Sequence, residues 1–190
     1  DLPLSRGLGD VYKRQGSLML SATFPRSFID LNRDCEELDP LLIDDVIVYK
    51  DTLKVSAGLG VIPRVVADQT LIYKKRLSID EANDRLKNFY IPYHNELKTL
   101  MEKTWGSFKK VILLDCHSMP QSSVNLARKK DPIEVVLGDC FGSSCEHEIV
   151  IELKCLLTEA GFRVSLNKPF SGGFITRNYA NPHNNIHVVQ

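Results

Sequence analysis

Val111-Ile112-Leu113-Leu114-Asp115-Cys116-His117-Ser118-Met119-Pro120 constrains the fold more than any other stretch of the chain. A short apolar run that stops abruptly at polar residues reads as a buried strand delivering side chains to the edge of a sheet. In open α/β sheets ligands gather beyond the carboxyl ends of the strands, so His117 and Ser118 are expected to project into a crevice. An imidazole there serves as a metal ligand or a proton carrier. Taken alone, a strand-end histidine bonded to a neighbouring loop accounts for the stretch as well.

The 190 residues are enough for one well-buried α/β domain. Lys plus Arg and Asp plus Glu both number 24, giving a formal net charge of zero. No field for nucleic acid or an anionic membrane follows from that balance, and neither is an expected partner. No apolar run approaches the ~20 residues that a membrane-spanning helix needs. Cys35, Cys116, Cys140, Cys145 and Cys155 form an odd set without a C-x-x-C pair, as in a protein of the reducing cytoplasm.

Along the chain, Asp1 to Gln15 has little periodicity, and Asp10-Val11-Tyr12-Lys13-Arg14-Gln15 is what one reading frame of a common transposase adapter end would encode. Residues 1–15 are therefore expected to be a non-native, adapter-derived segment, to be set aside in fold reasoning. Ser27 to Asp34 alternates polar and apolar groups and brings Asp30, Asn32 and Arg33 into one neighbourhood. Arg33 offers a planar fork for a carboxylate, Asn32 an amide donor, and Asp30 a group to hold one of them in place. An ion pair within a loop explains the same tetrapeptide. Val46 to Tyr49 reads as a short strand. Arg64, after the rigid Pro63, faces either the crevice or open solvent.

Ser78-Ile79-Asp80-Glu81 is a capping box, opening a helix with Ala82, Leu86 and Phe89 on one face. Pro92 is expected to interrupt it, and a second helix from Tyr93 to Trp105 to stop at Gly106-Ser107. His94, in its first turn, is expected to pack or cap. The polar loop through Ser122 and Asn125 to Asp131 is expected to wall a cleft. Strands are expected at Glu134–Leu137, Phe162–Leu166 and from Ile186 to Val189. Ser143-Ser144-Cys145-Glu146 reads as a second capping box, for a helix reaching Ala160. In Pro169 to Arg177, the paired Gly172 and Gly173 allow close backbone approach to a ligand. His183 and His187 have the spacing of a helical metal pair, but Pro182, Asn184 and Asn185 oppose a helix there. Strands alternating with helices give an α/β sandwich.

Four stretches in order, Asp30-Leu31-Asn32-Arg33, Pro92-Tyr93-His94, Leu114-Asp115-Cys116-His117-Ser118-Met119-Pro120 and Pro169-Phe170-Ser171-Gly172-Gly173, resemble the N-formylglutamate amidohydrolase family. That family is similar to the zinc carboxypeptidases and aspartoacylases. The resemblance spans roughly Leu18 to Gln190 and makes residues 16–190 a partial domain of this kind. It implies a three-layer αβα sandwich around a mixed, mostly parallel sheet, of the phosphorylase/hydrolase type, truncated. It also implies hydrolysis of the formyl amide of N-formyl-L-glutamate, in histidine degradation, on one zinc ion. His117 would be a zinc ligand with Ser118 beside it, and Asn32 with Arg33 would hold a substrate carboxylate. Arg64 or Arg177 is the candidate for the second carboxylate. Zinc would polarise the formyl carbonyl and lower the pKa of its bound water. No His-x-x-Glu or His-x-x-Asp occurs, so the other ligands are expected upstream, and the fragment is expected to bind zinc weakly and turn over little. An aspartoacylase-like or carboxypeptidase-like hydrolase, and a non-catalytic carboxylate-binding domain, are the alternatives. The sequence leaves the oligomeric state open.

Overall fold

The computed structural model describes residues 17–47, 49–66, 69–119 and 132–190. The expected adapter segment and the cleft-walling loop through Ser122 and Asn125 therefore lie outside the described residues. The described elements are helices α1 (Leu53–Ser56), α2 (Ile79–Arg85), α3 (Ile91–Phe108), α4 (His147–Glu159) and α5 (Phe174–Tyr179), with strands β1 (Val111–Leu114), β2 (Val135–Leu137), β3 (Val164–Leu166) and β4 (Ile186–Val189). None of these helices is long and apolar enough to cross a membrane.

β1 pairs in parallel with β4, Val111 opposite Ile186 and Leu114 opposite Val189. β2 pairs in parallel with β3, Val135 opposite Val164. The amides of Gly138 and Gln190 each donate to the other's carbonyl, at 2.8 and 2.9 Å, and so tie the two pairs together at their ends. The result is a mixed α/β chain with short parallel sheets and crossover helices, as the alternation of elements demands.

β4 carries the short apolar run best shielded from solvent. Val188 packs with Leu97 and Met101 of α3, and Val189 with Ile149 and Val150 of α4. β1 is only half buried: Val111 is covered, whereas Ile112 and Leu114 are 47% and 51% exposed. The continuous run read as a fully buried strand is thus one covered face and one open face among the described residues. A third apolar cluster, built on Ile29, Leu31, Leu42, Ile43 and Ile62, joins the largely irregular stretch before residue 78 to Ala82 and Tyr90.

Several expected boundaries shift, each for a local reason. Ser78 does cap α2, its hydroxyl accepting the Glu81 amide at 3.1 Å. Pro92 does not break the helix. A π-helical turn over Leu86–Tyr90 precedes it, with the Ile91 amide donating to Leu86 O. That wider turn relieves the clash a proline ring makes with the carbonyl four residues back. α3 also runs past Gly106 to Phe108 and ends at Lys109, whose φ of 56° is left-handed. The Lys109 ammonium lies 4.3 Å from the centre of the Trp105 ring, a contact that favours this end point. Ser143 does not cap α4. Its hydroxyl donates to Cys140 O at 2.8 Å, and that of Ser144 to Val188 O at 2.8 Å. Val46, Ile47 and Tyr49 lie outside any strand.

Candidate functional site

The carboxyl end of β1 turns into the site. The Asp115 amide still donates to Val189 O at 2.8 Å, so the strand's direction persists to that residue. Two residues on, the period of a strand brings His117 to the same side as Asp115. His117 Nε2 lies 3.0 Å from Asp115 Oδ2, the two side chains being 26% and 10% exposed.

Asn32 arrives from the first apolar cluster. Asp30 positions it through an Asx turn, in which the Asn32 amide donates to Asp30 Oδ1 at 3.0 Å. Arg26 Nε donates to the other Asp30 oxygen at 2.8 Å. The Asn32 side chain, 3% exposed, is fully engaged. Its Oδ1 accepts the Ile175 amide at 2.8 Å at the start of α5. Its Nδ2 faces Asp115 Oδ2 at 3.2 Å, His117 Nε2 at 3.0 Å and Gln190 Oε1 at 3.1 Å. Four segments far apart in sequence thus meet on one carboxamide. The amide donor expected for a substrate carboxylate is spent inside the protein.

Arg33 differs. Its Nε donates to Leu59 O at 3.0 Å and lies 3.7 Å from Asp30 Oδ2, and its Nη1 donates to Asn32 O at 3.2 Å, so that Nη2 has no hydrogen bond among the described residues. Tyr90 fixes the backbone beneath it by donating to Arg33 O at 2.7 Å. The phenol of Tyr90 is pushed well above its ordinary range by burial. It stays a donor at any working pH.

A cleft of about 1570 Å³ opens over these groups. Asp30, Asn32, Arg33, His117, Ser118, Gly172, Gly173 and Arg177 all line it. Arg64 does not. Its Nε is paired at 2.8 Å with Asp39, a carboxylate 1% exposed. A buried carboxylate needs a cation beside it, and that need holds Arg64 away from the cleft. The expectation that Arg64 binds substrate is corrected accordingly. Arg177 is exposed at the cleft wall, with Nη1 donating to Gly172 O at 3.2 Å. A smaller hollow of about 510 Å³, beside Met101 and Trp105 of α3, is lined by the surface pair Lys98 and Glu102 and by Tyr179.

The close approach made possible by Gly172 and Gly173 is intramolecular. A Cβ on Gly173 would overlap the Asn32 amide, and one on Gly172, at a φ of 129°, would meet the Cys140 sulfur at 2.7 Å. His94 packs as expected. Its Nδ1 accepts from the Tyr179 hydroxyl at 2.7 Å and its Nε2 donates to Leu31 O at 3.0 Å. Burial lowers the His94 pKa and raises that of Tyr179 to about 12, so the hydroxyl is the donor of the pair. Sequence reasoning gave no role to Asp115 or Gln190. The Asp-x-His spacing on one strand was a readable signal for the first; nothing local signals the second. Among the described residues no three His, Cys, Asp or Glu side chains come together as a metal-binding group. Among the described residues His117 is the one histidine that lines the cleft.

A family model for N-formylglutamate amidohydrolase matches residues 5–190. The chain is similar to the N-formylglutamate deformylase of Pseudomonas putida, 30% identical over 186 residues that make up 96% of this chain and 64% of that protein. The Pseudomonas aeruginosa deformylase is 28% identical over 186 residues, 96% of this chain and 65% of that one. Among solved structures, the N-formylglutamate amidohydrolase of Ralstonia eutropha superposes with a TM-score of 0.81 at 30% identity, over 89% of this chain and 62% of that chain. A gene product of Agrobacterium tumefaciens, 16% identical with a TM-score of 0.58 over 87% of this chain and 55% of its own, shares the fold alone. The chain spans a little under two thirds of the length of the curated relatives it matches.

Proposed function

The chain belongs to the N-formylglutamate amidohydrolase family, and from that premise we propose that the protein carrying it hydrolyses the formyl amide of N-formyl-L-glutamate to formate and L-glutamate. The observation that carries this reading is the meeting of Arg33 and His117 on one cleft, joined through Asn32. A small acidic amide needs a guanidinium for its carboxylate and a base or ligand at the scissile bond, and these two residues are of those types. Arg33 Nη2 keeps its donors for one carboxylate, and Arg177 is the proposed partner of the other. Two carboxylates held by two planar forks would fix the amide against His117, which makes attack effectively intramolecular. The imidazole would hold or accept the proton that moves as the C–N bond breaks.

Zinc belongs to the proposal through the resemblance. The described residues do not form a zinc site by themselves, since His117 has no two further ligands beside it, so no step is drawn through a metal. For the same reason the 190-residue chain alone is proposed to bind zinc weakly and to turn over little. The full domain is proposed to be a three-layer αβα sandwich, in keeping with the helices packed on both faces of β4, and to act in the cytoplasm in histidine degradation.

The test is formate release by the protein that carries this chain, with N-formyl-L-glutamate, N-acetyl-L-aspartate and a short peptide offered in parallel, and metal content measured on the same sample. N-formyl-L-glutamate is expected to be preferred, with one zinc per chain. Arg33→Lys, which loses the fork, is expected to raise KM at least 10-fold, the ~1.4 kcal/mol that a lost charge-assisted bond is worth. Preference for the acetyl substrate would transfer the assignment to an aspartoacylase-like enzyme. Binding of glutamate without any turnover would leave a carboxylate-binding domain.

A further inference from the structure

We propose that Tyr90 and His94 are positioning residues for Arg33: a helical rail grips the backbone on either side of Asn32 and so sets the direction in which the free edge of the Arg33 guanidinium meets a ligand carboxylate. The role rests on the reading above in which Arg33 takes that carboxylate; the grip on the backbone does not.

Residues 29–32 are buried but belong to no helix or strand, so no regular ladder satisfies their carbonyls. Side chains of one continuous helical stretch, from α2 through the π-turn into α3, take over that task. Arg85, the last residue of α2, donates through Nη1 to Phe28 O at 3.1 Å. His94 donates through Nε2 to Leu31 O at 3.0 Å, and the Tyr90 hydroxyl donates to Arg33 O at 2.7 Å.

The π-turn brings the three donors to one side. Arg85 and Tyr90 are five positions apart, and in an unbroken α-helix, at about 100° per residue, they would point roughly 140° from each other. The wider turn over Leu86–Tyr90 takes up that difference. Tyr90 and His94, four positions apart, then share a face in the ordinary way, with 4.2 Å between ring centroids. The Tyr179 hydroxyl of α5, donating to His94 Nδ1 at 2.7 Å, steadies the imidazole. Pro92-Tyr93-His94, none of which lines the cleft, thereby acquires a part in it.

Arg33 senses the grip directly. Its Nη1 donates at 3.2 Å to Asn32 O, the carbonyl that lies in sequence between the two held by His94 and Tyr90. Its Nε is fixed to Leu59 O at 3.0 Å, and the side chain is only 14% exposed. The guanidinium plane therefore follows the peptide planes of residues 31–33, and Nη2 points where they send it. A planar fork that is turned away loses one of its two parallel bonds to a carboxylate. Release of the grip is felt in binding rather than in the chemical step.

The experiment uses the protein that carries this chain. Tyr90→Phe, which removes one hydroxyl and nothing else, is expected to raise KM for N-formyl-L-glutamate about 5- to 10-fold and to leave kcat within about twofold. Amide hydrogen exchange at residues 30–34 is expected to speed up about 10-fold, with that of α4 unchanged. In an Arg33→Lys background the same change is expected to add less than about twofold to KM, because the fork it positions is gone. His94 is divided between two amides. His94→Gln keeps an N–H long enough to reach Leu31 O, whereas the shorter His94→Asn keeps only a partner for Tyr179. The first is expected to hold KM within about threefold and the second to raise it about 10-fold. A KM unmoved by Tyr90→Phe, a full effect of Tyr90→Phe on top of Arg33→Lys, or equal KM values for the two folded His94 variants overturns the proposal. Should Tyr90→Phe fail to fold, the His94 pair decides. Without deformylation, the same comparisons are read on the Kd of L-glutamate. Binding weakened by Tyr90→Phe, but not further weakened by it in the Arg33→Lys background, would leave this inference standing and remove the functional one. Deformylation with a KM indifferent to Tyr90→Phe would do the reverse, and absence of both turnover and binding would remove both.

Discussion

Gly173 sits where any larger residue would have to displace Asn32, because a Cβ there would overlap the carboxamide that faces Asp115, His117 and Gln190. The neighbour it would strike is buried and bonded on every side, so the strain cannot be passed to a flexible tip. Gly173→Ala is expected to cost about 1–3 kcal/mol, the usual range for overpacking a filled interior. The denaturant midpoint measures that loss, and formate release should fall with it. An alanine tolerated without either change would mean that the Asn32 cluster is loose. At this scale much was legible in the residues. The Asp30-Asn32-Arg33 cluster, the strand-end His117 and the glycine pair each declared a local need. What each would touch was not legible, since the partner of Asn32 at Gln190 lies 158 positions away. An amide read as a donor to substrate is equally a donor to protein, and only the fold decides which.

α4 begins without a side-chain cap of its own, and a strand supplies one. His187, fully buried on β4, accepts the Glu146 amide through Nδ1 at 3.4 Å, while its Nε2 has no hydrogen-bond partner among the described residues and lies 3.7 Å from Glu146 Oε2. A ring that accepts through Nδ1 must be neutral. Burial keeps it so, lowering its pKa below the ordinary 6.5, with Lys110 acting in the same direction and Glu146 against it. His94 on α3 is lowered in the same way. Below the ordinary histidine value the unfolded chain takes up protons that the folded chain refuses, so their contribution is intact above that pH and is lost as pH falls toward the lowered folded values. The urea midpoint is expected to be level from pH 8 to 7 and to drop from pH 6.5 to 5.5, with a smaller drop in His187→Asn. A midpoint that rises on acidification would contradict the sign. Helices were legible through their apolar faces and the Ser78 cap. Their ends were less so, because the device at Ser143 lost to a cap on Glu146 from a strand residue 41 positions beyond it, and the break at Pro92 lost to a π-turn that the sequence pattern does not announce.

The cleft takes its walls from all three apolar clusters: Arg33 from the irregular stretch before residue 78, His117 from β1 with the glycine loop and Arg177 around α5, and Val135 from β2. No one cluster makes the site, so a charged residue can belong to the molecule's stability or to its ligand but is poorly placed to serve both. The two arginines offered by the sequence for the second carboxylate separate on this ground. Among the described residues Arg64 is the only cation paired with Asp39, whose side chain also accepts the Leu41 amide at 2.8 Å. Removing it strands a buried carboxylate. Arg64→Met is expected to cost about 3–5 kcal/mol, the range for breaking a buried pair, and to leave KM of the surviving folded protein unchanged. Arg177 is exposed, and its guanidinium donates to Gly172 O. Arg177→Met is expected to leave the denaturant midpoint within about 0.5 kcal/mol, as for a surface change, and to raise KM for N-formyl-L-glutamate about 10-fold or more. Its effect should shrink for a formyl amide that lacks the second carboxylate, because the group it would hold is then gone. Equal losses on both substrates would place the Arg177 contact elsewhere on the ligand. A KM raised by Arg64→Met in a protein that remains folded would instead bring that arginine back to the cleft.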